Sequence, residues 1–200
     1  TLSELKTVCP YIHLPVQSGS NSCLRRMNRP YTREKYISII EKIKKVMPNC
    51  AISTDMIVGF CGETEAEFED TCELYEKLGF DMAYLAKYSP RKGTFAEKKL
   101  KDDVPRKVKV ERWHHLNKIL KKWCLKRNEQ LLGKTVEVLI EKQTSEELIG
   151  RSREFKEVHI RDFKKTKKWI GEIVKVEVIK AREWELEGGN LELRTLSSKL

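Results

Sequence analysis

Residues 51–60 read AISTDMIVGF, a mostly apolar run without clean alternation, set between two stretches whose apolar residues recur with a helical period. A strand that does not alternate is buried on both faces, and a strand flanked by helices reaches that state in a parallel sheet. Upstream, Tyr36, Ile40, Ile43 and Met47 share one face of a predicted helix that Thr32 can cap and Pro48 ends. Downstream, Thr64 and Glu67 have the spacing of a capping box. Phe68, Cys72, Tyr75 and Leu78 then form an apolar stripe, and Gly79 falls where a left-handed C-terminal cap belongs. With a first strand over 11–17 and a third over 80–88, the first hundred residues alternate strand and helix. That is a parallel β/α unit, either half of a barrel or part of an open sheet. Such folds place their chemistry in the loops at the C-terminal ends of the strands, here 17–20, 59–63 and 89–91.

A different grammar follows. From Lys101 to Leu132 there are ten Lys and Arg against four Asp and Glu, in a predicted helix that starts after Asp102, Asp103 and Pro105 and runs to about Gln130. Val110, Trp113, Leu116, Leu120 and Trp123 are expected on its apolar side. His114 and His115 lie within it and are given no catalytic role. At Gly133 the period switches to alternation, with strands expected over 135–140, 148–153, 157–160, 173–179 and 191–193. Five short strands in so few residues make a small, closed or nearly closed β-barrel of the oligonucleotide-binding type. The tract Lys164, Lys165, Lys167 and Lys168 beside Trp169, in a chain of net charge +10, points to a polyanionic partner such as nucleic acid. The expected domains are thus 1–100, 101–132 and 133–200.

Several classes are excluded. No run of eighteen apolar residues exists to span a membrane, and the start at Thr1 has no secretory pattern. The start also lacks Met and enters an apolar strand almost at once, so a piece of a longer chain is expected. Six cysteines occur, with no CxxC or CxxxCxxC spacing, so no metal ligand set is read from the sequence. Reduced, mostly buried thiols in a cytoplasmic protein are the expectation.

HLPVQSGSN at 13–21 and LRRMNRPYT at 24–32, then ISTDMIVGF at 52–60 with GET at 62–64, and YSPR at 88–91 with GT at 93–94, resemble the second half of the bacterial radical S-adenosylmethionine tRNA methylthiotransferases. GKTVEV at 133–138, GRSR at 150–153 and the pattern through Gly171, Ile173, Val174 and Val176 resemble the TRAM domain that ends them. The resemblance covers almost the whole chain. It implies an α/β plus all-β chain: the C-terminal half of a partial TIM barrel, a basic helical bridge and an RNA-binding TRAM barrel. It also implies S-adenosylmethionine as cofactor and two [4Fe-4S] clusters whose cysteines are not in this sequence. The implied reaction adds a methylthio group to isopentenyladenosine beside the tRNA anticodon, and this chain alone is expected to be inactive. By the same likeness Gln17, Ser18, Asp55, Ile57, Gly59, Tyr88 and Arg91 would border the cofactor. Arg151, Arg153 and the four lysines would grip the anticodon arm through its backbone. Cys61, Lys92 and Phe95 stand where the family more often has proline, so looser loops are expected there. The alternatives are a non-catalytic RNA-binding module, or a methylthiotransferase acting on threonylcarbamoyladenosine or on a ribosomal protein aspartate.

Overall fold

The computed structural model describes Glu4, Leu5 and residues 7–193. The first three residues, on which the reading of the chain's start rests, and residues 194–200 of the predicted last domain lie outside the described residues. The chain divides into two compact units, residues 12–123, and residues up to 11 together with those from 124 onward.

Strands β1 (Tyr11–His13, in the first unit from Ile12), β2 (Ala51–Val58) and β3 (Met82–Lys87) form a sheet in that order. β2 and β3 run parallel, from Ser53 opposite Met82 to Val58 opposite Lys87. Six of the eight β2 residues are buried, as a strand without alternation requires; Asp55 and Ile57 are the two left half-open. The crossovers are α2 (Arg33–Val46), capped by the Thr32 hydroxyl, and α3 (Glu65–Leu78), which opens with the Thr64–Glu67 capping box and ends at Gly79 with φ 57°.

β1 is shorter than the expected 11–17 run. Pro15 has no N–H to give the ladder, and the Val16 amide is taken by the Thr54 hydroxyl at 3.0 Å. The chain rejoins β2 only at Gln17, bridged in parallel to Met56. Two short helices, α1 (Asn21–Arg26) and α4 (Phe95–Lys99), are too brief to show a helical period.

α5 (Arg106–Glu129) lies in the first unit through Trp123. Its buried face differs from the expected apolar stripe. Leu116 and Leu120 are buried as expected, but beside them lie Lys109 and Arg112, whereas Val110, Trp113 and Trp123 are half-buried. The reason is ionic: Lys109 meets Asp102 and Arg112 meets Glu63, so these side chains enter the interior with partners. The indoles of Trp113 and Trp123 donate to the Leu85 carbonyl of β3 and the Glu76 carboxylate of α3.

The second unit holds β4 (Thr135–Gln143), β5 (Leu148–Ser152), β6 (Glu157–Ile160), β7 (Ile173–Ala181) and β8 (Glu185–Leu193), closed into a barrel in the order β4-β5-β6-β8-β7. Alternate residues fill it, among them Val136, Val138 and Ile140 from β4, Val174, Val176 and Val178 from β7, and Leu186 from β8. The last strand, expected at 191–193, begins six residues earlier. Gly188 and Gly189 disguise it, yet they are what lets it pack: a Cβ at Gly188 would sit 2.9 Å from Val176. Trp169 is 3% exposed and its indole donates to the Lys164 carbonyl, so it belongs to the barrel core and offers no face for stacking.

Candidate cofactor cavity and nucleic-acid surface

At the C-terminal ends of β1, β2 and β3, Gln17, Asp55, Ile57, Tyr88 and Arg91 line one cavity of about 1050 Å³. Gln17 stands at φ 70°, a conformation that costs a non-glycine residue on the order of 1 kcal/mol. Two backbone bonds hold it there: its amide donates to the Asp55 carbonyl and its carbonyl accepts from the Ile57 amide. The side chain, on a residue 7% exposed, is thereby fixed at the cavity wall. Asp55 lies 3.4 Å from His13 Nε2, while His13 Nδ1 shares a hydrogen bond with the Ser53 hydroxyl at 2.8 Å.

Two of the expected border residues are elsewhere. Ser18 is fully buried, within 3.3 Å of the Thr71 hydroxyl and accepting from the Ser20 amide, so it braces the turn after Gln17. Gly59, at φ 72°, gives its amide to Glu63 at 2.6 Å, and a Cβ there would collide with the Lys109 side chain. The close approach this glycine permits is therefore to a lysine stem.

The loop from Cys61 to Glu63 is tied on every side, although it lacks the family's proline. Arg26 Nε donates to the Cys61 carbonyl at 3.0 Å, and the Gly62 amide donates to Asp103 at 2.7 Å. Arg26 also grips Glu67 through two bonds, of 2.9 and 2.6 Å. Burial works against the Glu67 carboxylate, but Arg26, the Ser22 hydroxyl and the Thr64 amide outweigh it and hold its pKa down at about 2. Sequence reasoning missed Arg26 and Arg29, both of which line the cavity. The signal available was the run of arginines at 25, 26 and 29 just after the first strand's exit loop. Across the cavity, burial and then the neighbouring Cys61 thiol push the Tyr88 phenol up to about 12.

The cavity suits a nucleoside-bearing cofactor in size, with apolar Ile57 and Phe60 to flank a base and Gln17 and Asp55 to meet polar groups. Among the described residues no three His, Cys, Asp or Glu side chains gather as a metal site. No helix among the described residues is long and apolar enough to cross a membrane.

On the barrel, Arg151 is engaged by Glu141 and Glu157 and lies over the Phe155 ring. Arg153 reaches Glu137 and the Val8 carbonyl. Lys167 covers the Trp169 ring at 4.3 Å and nears Glu172. Lys164, Lys165 and Lys168 are exposed. The expected RNA-gripping residues thus fall into two groups: Arg151, Arg153 and Lys167 are engaged within the chain, and Lys164, Lys165 and Lys168 face solvent.

Residues 1–75 match the model of the radical SAM superfamily, and residues 129–189 match that of the TRAM domain. The chain is 46% identical over 94% of its length to tRNA-2-methylthio-N(6)-dimethylallyladenosine synthase of Oceanobacillus iheyensis, covering 36% of that protein. It is 45% identical to the synthase of the same name from Clostridium botulinum, covering 94% of this chain and 41% of that one. The Bacillus pumilus synthase is 46% identical over 89% of this chain and 35% of its own length. The chain therefore spans less than half the length of these relatives. Among solved structures, coproporphyrinogen III oxidase (HemN) from Escherichia coli, titled a radical SAM enzyme, has a like fold. Its TM-score is 0.50 at 14% identity, covering 84% of this chain and 41% of that one. The α/β plus all-β fold and the resemblance to the methylthiotransferase family, both read from the sequence, are borne out.

Proposed function

We propose that this chain, in which a radical SAM segment and a TRAM segment follow one another in the order of the methylthiotransferase family, is the C-terminal portion of a tRNA methylthiotransferase. Its substrate is isopentenyladenosine next to the anticodon, and the group added is methylthio at C2 of the base. The observation that carries the reading is the cavity at the strand ends, walled by Gln17, Asp55 and Ile57 and opening among arginines. Gln17 and Asp55 would hold polar groups of S-adenosylmethionine and Ile57 would pack on its adenine, with Tyr88 on the opposite side and Arg91 at the mouth. When bound, that cofactor would supply a deoxyadenosyl radical and, from a second molecule, the methyl group, with the electron and the sulfur coming from the iron–sulfur clusters of the parent enzyme. Within this chain the residues bind and orient; the cluster chemistry belongs to a part of the parent enzyme outside these residues. The barrel holds the anticodon arm through its phosphates, and the whole acts in the cytoplasm.

The test is nucleoside mass spectrometry of tRNA from cells lacking the gene that encodes this chain. Loss of the methylthio group from isopentenyladenosine, with the isopentenyl group retained, is the expected result. Loss of methylthio from threonylcarbamoyladenosine or from a ribosomal protein aspartate would move the substrate to a sister enzyme. Intact modification of all three would leave a binding module without catalysis.

A further inference from the structure

The charges around the cavity are lopsided. Its lining contains Arg26, Arg29, Lys87, Arg91 and Lys92, against one acid, Asp55. Two of the five cations are occupied: Arg26 is neutralised by Glu67, and Lys87 lies over the Trp113 ring at 5.3 Å. Arg29, Arg91 and Lys92 are different. All three are exposed, and none has an ion pair among the described residues. They come from two loops that meet at this cavity. One follows α1, where Asn28 stands at φ 55°, and the other follows β3, where Gly93 stands at φ 87°.

Like charges gathered at one cavity mouth repel one another, which disfavours the compact state unless an anion joins them. The proposed cofactor answers them poorly, because S-adenosylmethionine is cationic at sulfur and ammonium and its one carboxylate leaves most of the rim's charge uncompensated. The one phosphate group of a small nucleotide would have to draw all three cations to a single point, whereas they stand on two loops. A strand of RNA offers successive phosphates, which three long side chains on two loops can take one each. Arg suits this role, since its planar guanidinium meets two phosphate oxygens at once.

We propose that Arg29, Arg91 and Lys92 form a second RNA-gripping site, separate from the barrel, that holds the phosphates flanking the target nucleotide and so delivers its base to the cavity. The proposal rests on the tRNA reading above and adds to it the place where the substrate loop is held. Barrel lysines would bind any RNA backbone, whereas a rim around a cavity engages a strand whose base can be turned inward. The rim thus prefers a single-stranded loop to a duplex.

The experiment measures binding of a labelled RNA stem-loop of anticodon-arm length, and of a plain duplex, to the chain at several salt concentrations. In the variant Arg29→Ala, Arg91→Ala, Lys92→Ala, the slope of log affinity against log salt for the stem-loop should fall by about 2 units, at roughly 0.7 per single-strand phosphate. The preference for stem-loop over duplex should vanish. Arg29→Lys with Arg91→Lys should keep the slope, which guards against a folding defect in the alanine variant. If the wild type binds the stem-loop and the alanine variant keeps both slope and preference, the rim proposal is overturned and the tRNA reading stands. If adenosine monophosphate competes as well as the stem-loop, the rim is a small-nucleotide site and the strand proposal is overturned. If the wild type binds neither RNA, the rim proposal and the tRNA reading fall together.

Discussion

The Glu63 carboxylate and the Arg112 guanidinium meet at 2.8 Å with side chains only 1% and 7% exposed, joining the loop at the cavity to the long helix α5. Burial pushes the Glu63 carboxyl up, against the pull of the Gly59 amide and Arg112. Removing one member of such a pair strands a buried charge. Arg112→Met is expected to destabilise the first unit by about 3–5 kcal/mol. Adding Glu63→Gln should return part of that loss, because no unpaired charge is then left inside. Urea denaturation midpoints of the single and double variants check this; a double variant no better than the single would show that packing, not charge, holds the loop.

A second expectation concerns acid. The Glu67 pKa, held at about 2, lies below the ordinary glutamate value, so the folded state favours the ionised form. Its contribution is fully present above about pH 4.5 and is lost as pH falls through the folded value. The Glu67 side chain is 13% exposed and that of its partner Arg26 is 29%, so screening trims the benefit to about 1–2 kcal/mol. Glu67→Gln should therefore lower the unfolding temperature at pH 6 and make little difference near pH 2. A penalty that does not shrink in acid would assign the loss to the capping bond alone.

His159 carries the opposite sign. Its Nδ1 lies 3.1 Å from Glu147, and its Nε2 lies 3.3 Å from Glu157 and 3.5 Å from Glu185. A neutral imidazole donates from one nitrogen only, so the arrangement calls for the imidazolium. Burial lowers its pKa, but the bonds it donates to Glu147 and Glu157 outweigh that and raise it overall. Arg161, near Glu147 and Glu187, is the neighbouring cation. The stabilisation is fully present below the ordinary histidine value of about 6.5 and is lost as pH rises through the raised one. His159→Gln should cost the barrel on the order of 1 kcal/mol at pH 6 and almost nothing at pH 9, read by thermal denaturation.

Much of this was legible in the residues because it rests on local chemistry. The capping box at Thr64, the left-handed cap at Gly79 and the unalternating strand through Asp55 each follow from a few adjacent side chains. What escaped depends on partners far away in the chain. Lys109 and Arg112 look like solvated helix charges until Asp102 and Glu63 are brought to them, and β8 hides behind two glycines that matter against Val176, Ile160 and Ile179. The cavity shows the same division. Gln17, Asp55 and Ile57 could be placed from strand ends, whereas Ser18 and Gly59 turn inward to brace the loops, and the rim arginine Arg29 sits in a loop with no period to read.

The last expectation separates the barrel's cations by what they already hold. Arg153 is tied to Glu137 and the Val8 carbonyl, and Arg151 to two glutamates, so either must break an ion pair to take a phosphate. Lys167 shields Trp169. Lys164, Lys165 and Lys168 need break nothing, and a phosphate contact releases counterions, adding about 0.7 to 0.9 per contact to the salt slope. Replacing these three by alanine should weaken binding to all tRNAs alike and flatten the slope by roughly one unit or more, leaving the choice of modified adenosine unchanged. Arg153→Ala should instead lower the melting temperature and change the slope little. Affinities at several salt concentrations, with melting curves of the same variants, make the comparison. A flat response from the lysines with a lost slope from Arg153 would mean that the arginines exchange their glutamates for phosphate, and that the lysine tract is only a solvated loop.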